Sequence, residues 1–383
     1  MKLIHLADLH LGKRVNEFSM IEDQEYILRR ILEITDDEQP DALLIAGDVY
    51  DKAIPSEEAM RLWDRFLIAL AGRHIPVLAI SGNHDSAVRF ADHSALVEEN
   101  EIYLCPAYQR RIPVHTFQDE YGPVNVYFLP FIRPAVVRAF FPEEQISDYT
   151  DAVRVALSAS DVDRKERNVL LSHQFVTGAV TCESEEVNVG GLSNVDVSVY
   201  EAFDYVALGH LHGPQSVGRE TVRYSGTPLK YSFSEKDHKK SVTVVELKEK
   251  GQTVIRTIPL KPLHDLRQIR GSFEEVSEGA KEAVKEATGA ENDYLKVVLT
   301  DEEDVISALS KLRAYYPNIM ELSYDNRRTR ENRIIREAAD VDHKSPLELF
   351  EDFFEIQNNQ PFNEEQRAYV TDLIHEIWEG EDV

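Results

Sequence analysis

Residues 205–213 read YVALGHLHG: a short apolar run, a glycine, then two histidines on either side of Leu211. Other runs share this design: KLIHLA (2–7), ALLIAG (42–47), VLAISG (77–82), NVYFLP (125–130) and NVLLSH (168–173). Each is rich in Leu, Ile, Val or Ala and closes on small or polar residues, as strands buried on both faces of an α/β layer fold do. Helical stretches alternate with them. In EDQEYILRRILEIT (22–35), Ile27, Ile31 and Ile34 fall at helical spacing. In SEEAMRLWDRFLIALA (56–71), Ser56 is placed to cap the helix, and Glu57 and Glu58 suit its first turn.

The strand ends carry the chemistry. They read ADLH (7–10), GDVYD (47–51), GNHD (82–85), SHQ (172–174) and GHLH (209–212). Ligands of open α/β sheets gather at the carboxyl ends of strands. One polar strand end is commonplace, but five bearing Asp, His or Asn indicate a metal centre. Side chains two apart on an extended backbone point the same way, so Asp8 and His10 are expected to grip one ion, and His210 and His212 to serve two neighbouring ions. Asn83 and His84 diverge, one toward metal and the other toward substrate. Imidazole, carboxylate and amide oxygen together suit Mn²⁺, Fe²⁺ or Zn²⁺. No cysteine stands in these motifs, which argues against structural zinc. The candidate ligands Asp8, His10, Asp48, Asn83, His173, His210 and His212 are too many for one ion. Two ions about 3.5–4 Å apart would use them, clamping a phosphate and lowering the pKa of a shared water. Asp48, directly after Gly47 at a strand end, is the expected bridge.

A chain of 383 residues suggests two or three domains. The net charge of −27 repels polyanions, so a nucleic-acid role requires a local basic patch, a metal site or a partner. Cys105 and Cys182 form no CxxC pair, which fits a reducing, cytoplasmic setting. The start, MKLIHLADLH, carries His and Asp too early for a signal peptide, and no apolar run approaches the ~18 residues that span a bilayer. SVTVVELKEKGQTVIRTIPL (241–260) reads as a hairpin turning at Lys248–Gln252. A small domain follows: strand (266–273), helix (274–288), strand (294–300), helix (302–315) and strand (319–324). DNRRTRENR (325–333) is a DNA-backbone patch or a solvated linker. In the tail, Phe350, Phe353, Phe354, Tyr369, Leu373, Ile374 and Ile377 offer more apolar surface than a terminal segment needs, which suggests a docking element.

The motifs D-x-H, G-D-x-x-D, G-N-H-D, a lone His and G-H-x-H, in that order, resemble the calcineurin-like metallophosphoesterases over roughly residues 1–260. Within them, IHLADLHLGK (4–13), GDVYDKAIPS (47–56), ISGNHDSAVR (80–89), LGHLHGPQ (208–215), RYSGTPLKYSFSE (223–235) and SPLELFEDFFEIQNNQPFNEEQ (345–366) are similar to the Mre/SbcD nuclease family, with Thr227 a mild departure. The resemblance implies an α/β fold with a two-sheet β-sandwich core flanked by helices. It divides the chain into a nuclease domain (1–260), a small α/β DNA-capping domain (264–335) and a C-terminal helical segment (343–383) that docks an SbcC-type coiled-coil ATPase. It implies two divalent ions, Mn²⁺: one held by Asp8, His10, Asp48 and His212, the other by Asp48, Asn83, His173 and His210. His84 would contact the scissile phosphate and stabilise or protonate the leaving oxygen. Asp51 lies near the substrate or caps a helix, and Asp85 orients a neighbour. The implied activity is 3′→5′ exonuclease action on duplex DNA and endonuclease action on hairpins or single strands, in repair and recombination, by a cytoplasmic homodimer without membrane attachment. ATP would bind the partner, since no GxxxxGK[ST] loop occurs. The alternatives are a phosphodiesterase of the same class acting on small molecules, and a scaffold that regulates an ATPase. The acidic chain alone is expected to bind DNA weakly.

Overall fold

The computed structural model describes residues 1–92, 94–182, 185, 194–286 and 290–327, and in the C-terminal segment 329, 347, 350, 351, 354, 362, 363, 366–371 and 373. Compact packing divides the chain into one unit of residues 1–268 and 287–296 and another of residues 269–286 and 297–383.

The first unit is built on two six-stranded sheets. One contains β1 (Lys2–Leu6), β2 (Ala42–Ala46), β3 (Val77–Ile80) and β4 (Ile102–Leu104). The other contains β5 (Val114–Asp119), β6 (Gly122–Leu129), β7 (Arg167–His173), β8 (Tyr205–Gly209), β9 (Gln215–Val217) and β10 (Arg219–Tyr224). The hairpin β11 (Ser241–Leu247) and β12 (Thr253–Pro259) closes the first sheet, giving the orders β12-β11-β1-β2-β3-β4 and β9-β10-β8-β7-β6-β5. Lys248 N–H donates to Gln252 O at 2.9 Å, closing the expected turn.

Strand alternation explains why the sheets stack. Leu3, Leu44, Leu78 and Ile80 meet Val126, Phe128, Val169, Leu171 and Ala207 in one apolar layer. Burying each Leu, Ile, Val or Phe among them contributes ~1.5–3 kcal/mol. The residues between them face outward. Leu129, Leu170, Val206, Leu208 and Tyr224 form a second cluster with Val137, Ala152 and Val153. The last three come from α3 (Pro134–Phe140) and α4 (Tyr149–Ser158). Helix α1 (Ile21–Glu38) buries Ile27, Ile31 and Ile34, and α2 (Glu57–Ala71) buries Leu62, Trp63 and Phe66. Ser56 caps α2 as its sequence implies, its side chain accepting from Ala59 N–H.

Register brings the strand ends to one rim. β1, β2 and β3 run parallel, with Leu6 opposite Ile45 and Ala46 opposite Ile80. In the other sheet β7 and β8 are parallel, and Gly209 pairs with His173, so His173 and His210 leave adjacent strands side by side.

The second unit contains α5 (Phe273–Glu286), α6 (Ala308–Arg313) and β15 (Ile319–Tyr324), the edge strand of a three-stranded sheet whose other members are β13 (Leu266–Gly271) and β14 (Tyr294–Leu299). The helix expected over 302–315 is shorter than its pattern. Ser307 takes a left-handed φ of 56° and Val305 N–H donates to the Tyr324 hydroxyl at 3.1 Å, so no continuous turn precedes Ala308. Of the expected docking face, Phe350 and Phe354 have ring contacts with Phe362, whereas Phe353, Ile374 and Ile377 lie outside the described residues. Arg328 and residues 330–333 of the basic cluster lie outside them as well. Among the described residues no helix is long and apolar enough to cross a membrane.

Candidate metal centre

The loops after β1 and β2 are zipped together. Asp8, His10 and Leu11 N–H donate to Gly47, Asp48 and Val49 carbonyls at 3.0, 3.0 and 2.9 Å. The Asp8 carboxylate accepts from His210 N–H at 2.9 and 3.1 Å, tying the β8 end to this pair. The approach at Gly209 is close enough that a Cβ there would lie 1.9 Å from Ala46 O.

Asp48 is central. Its Oδ1 accepts from His84 N–H at 2.8 Å. Its Oδ2 lies 3.3 Å from His173 Nε2, 3.8 Å from His10 Nε2 and 4.0 Å from His84 Nε2. Two groups with metal-holding geometry share it: Asp8, Asp48 and His173 on one side, His10, Asp48 and His84 on the other. Asn83 Oδ1 sits 3.0 Å from His173 Nε2 and 2.9 Å from His210 Nδ1. The His212 ring lies 5.1 Å from that of His10. The expected ligands therefore meet in one place, around Asp48. The backbone there departs from the extended form expected. Asp8 and His10 are not extended; their φ values are 54° and 44°, and those of Asp48 and His210 are 48° and 106°.

The side chains fit a cation. The His173 Nδ1 proton is committed to Ala46 O at 2.8 Å, which aims the Nε2 lone pair at the Asn83 and Asp48 oxygens. Three acceptors converging there require a positive centre, either a proton or a metal ion. His10 is 1% exposed, and neither of its ring nitrogens has a hydrogen-bond partner. A buried imidazole without partners is costly unless a ligand takes a nitrogen.

Electrostatics agree. Burial, with the Asp48 charge beyond it, pushes Asp8 well above the usual carboxylate range although His173 opposes this. Burial alone would also raise Asp48, but His173, His10 and His84 hold it below that range. Burial would lower His173, yet Asp48 and Asp8 carry it up to about 9. Burial and then the His173 charge bring His210 down to about 3, and burial takes His10 well below its ordinary value. Two buried carboxylates among imidazoles thus make a site for cations.

The remaining expected residues have definite places. Asp85 Oδ2 accepts from Val49 N–H at 3.1 Å and Gly82 N–H at 2.9 Å, and its Oδ1 from Tyr50 N–H at 2.9 Å. Burial, then the Asp48 charge, push Asp85 up to about 6 against these donors. The Asp51 carboxylate lies 2.8 Å from Lys13 Nζ, and its backbone carbonyl accepts from His84 Nδ1 at 3.0 Å.

Sequence reasoning missed several neighbours. Gln24 Nε2 donates to His10 O at 2.7 Å, and the Tyr231 hydroxyl to Leu9 O at 2.6 Å. Glu235 and Cys182 group with His212. Glu235 ends the SFSE stretch of the resemblance, but no strand-end signal marks it.

A family model described as Calcineurin-like phosphoesterase matches residues 1–214, and one described as Type 5 capsule protein repressor C-terminal domain matches residues 262–358. A curated relative, the SbcD subunit of the SbcCD nuclease of Staphylococcus epidermidis, is 34% identical over 393 aligned positions, covering 100% of each chain. Among solved structures, the protein TT1561 of Thermus thermophilus is 13% identical with a TM-score of 0.40, covering 68% of this chain and 99% of that one. A dimetal phosphatase from Danio rerio is 12% identical with a TM-score of 0.40, covering 68% and 98%. On the sequence matches, the chain belongs to the SbcD family of calcineurin-like phosphoesterases.

Proposed function

We propose that the chain is a metal-dependent DNA phosphodiesterase: a 3′→5′ exonuclease on duplex ends and an endonuclease on hairpins and single strands, acting in the cytoplasm as a homodimer with an SbcC-type ATPase. The observation that carries this is the convergence of the strand ends on Asp48, with Asp8 and His173 on one side and His10 and His84 on the other. The full-length relative named as a nuclease subunit supports DNA as the substrate class.

Asp8, His10, Asp48 and His212 would hold one divalent ion, and Asp48, Asn83, His173 and His210 a second, with Mn²⁺ the metal we propose. When bound, such a pair supplies Lewis-acid stabilisation of the oxygens in an in-line displacement at phosphorus. The chain's own residues position and protonate. His84 is oriented by its Nδ1–H bond to the Asp51 carbonyl, so its Nε2 would meet the scissile phosphate and, with the ring in the imidazolium form, give its proton to the leaving oxygen and keep the Nδ1 proton. Its side chain is 25% exposed, within reach of substrate. Lys13, held by Asp51, adds a positive charge beside it. Asp85 fixes the loops that carry Asp48 and Asn83. Residues 264–335 would cap DNA, and residues 343–383 would dock the ATPase.

The test is cleavage of hairpin DNA across divalent metals, with and without the ATPase partner, beside bis-p-nitrophenyl phosphate and cyclic nucleotides. Mn²⁺-dependent hairpin cleavage is expected. Turnover of small esters alone would replace the reading with a small-molecule phosphodiesterase, and no turnover with any metal would refute it.

A further inference from the structure

Beside the metal centre lies a buried ionic network. Glu235 is 0% exposed and Lys240 6% exposed. Lys240 Nζ donates to Glu235 Oε2 at 2.6 Å, Thr227 Oγ1 at 2.6 Å and His212 O at 2.9 Å. An ammonium has three N–H donors, and these bonds occupy all of them. The Thr227 hydroxyl passes its own proton to Leu229 O at 2.6 Å. Glu235 is thereby held as a carboxylate, which can only accept. Its other oxygen, Oε1, lies 2.9 Å from His212 Nδ1, so that nitrogen must be the donor. A neutral imidazole with its proton on Nδ1 offers a lone pair on Nε2 alone.

The backbone of His212 is gripped too. Its carbonyl accepts from Lys240 Nζ and from Thr227 N–H at 3.2 Å. Gly226, at φ 72°, lets the chain pass so near that a Cβ would sit 2.5 Å from that carbonyl.

We propose that Glu235 and Lys240 form a positioning dyad that fixes the tautomer of His212 and thereby sets the affinity of the centre for a divalent ion. This deepens the proposed function and rests on it for the identity of His212 as a ligand. Carboxylates behind ligating histidines orient the ring and raise its basicity, and their loss costs about 10–100-fold in metal affinity. The dyad also gives Thr227 a role: its hydroxyl oxygen receives Lys240.

The test uses the full-length chain labelled with ¹⁵N-histidine. Long-range proton–nitrogen spectra of the metal-free protein should show His212 as the Nδ1–H tautomer. Glu235→Gln has one acceptor oxygen and one donor amide; Lys240 claims the oxygen, so the amide faces His212 Nδ1 and should shift the ring to the Nε2–H tautomer, whereas Glu235→Ala should leave both tautomers populated. Calorimetric titration with Mn²⁺ should show a loss of about 10–100-fold for both Glu235→Ala and Glu235→Gln. An Nε2–H tautomer in the wild type, or wild-type Mn²⁺ affinity in Glu235→Ala, overturns the proposal. If Glu235→Ala does not fold, the wild-type tautomer and the Glu235→Gln affinity decide it. A chain that binds Mn²⁺ yet cleaves no DNA would sink the nuclease reading and leave the dyad to be judged on the tautomer and affinity data.

Discussion

Asp8, His10, Asp48 and His210 all occupy left-handed backbone. Such conformations cost ~1–3 kcal/mol each for residues with a Cβ and persist where surrounding bonds over-determine them. Here the zipped loops and the Asp8–His210 bonds do so. His84 is different: its φ is not left-handed, and its ring is set by the Asp51 carbonyl. We expect His84→Gln to lower single-turnover DNA cleavage by about 100–10,000-fold while calorimetry finds Mn²⁺ affinity little changed. Equal losses in both would make His84 a ligand and not a proton donor. The residue types of the centre were legible because Asp, Asn and His stand at successive strand ends. Their geometry was not, because nothing in the letters DLH or GDV announces a positive φ. The expectation of an extended backbone at Asp8 and His10 therefore fails, since both take a positive φ. Glu235 and Lys240 were hidden for another reason: they follow the strands, in a short turn and the residue before a hairpin, where charged residues usually signify only solvent.

Arg167, at the start of β7, is 3% exposed and donates to Asp119 at the end of β5, as well as to Lys248 O at 3.0 Å. Its hydrogen bonds to Asp119 hold that carboxyl below the usual range. A folded-state value below the unfolded one contributes stability that is present above about pH 4 and lost as pH falls through the folded value. Asp119→Asn should therefore lower stability at pH 7 by about 1–3 kcal/mol, and the gap from wild type should narrow between pH 4 and pH 2 in urea melts. A gap that stays constant with pH would refute the assignment. At this scale the sequence was most informative for strands buried on both faces and for α2, whose Ser56 cap matches. It was least so for α6, where an apolar pattern continued past the point at which Ser307 and the Val305–Tyr324 bond break the helix.

The first unit gathers two buried carboxylates, Asp8 and Asp48, into a chain of net charge −27. A divalent ion that binds only the folded form stabilises it by ~2.7 kcal/mol at a hundred times its dissociation constant. Melting in Mn²⁺ should exceed melting in EDTA by roughly 5–10 °C, and His10→Ala should lose much of that difference. No change in wild type would remove the cation from the account of the centre. The α/β layering was legible because six strands repeat one design, whereas the two-sheet core followed only from the family resemblance.

Asp85 binds three amides, two from the loop after β2 and one from the loop after β3. Neither loop can swing alone without stripping a buried carboxylate of its donors. In hydrogen–deuterium exchange the amides of Val49, Tyr50 and Gly82 should open as one cooperative event. The centre is therefore a closed keystone: the loop that carries Asp48 and the loop that carries Asn83 and His84 hold or yield together.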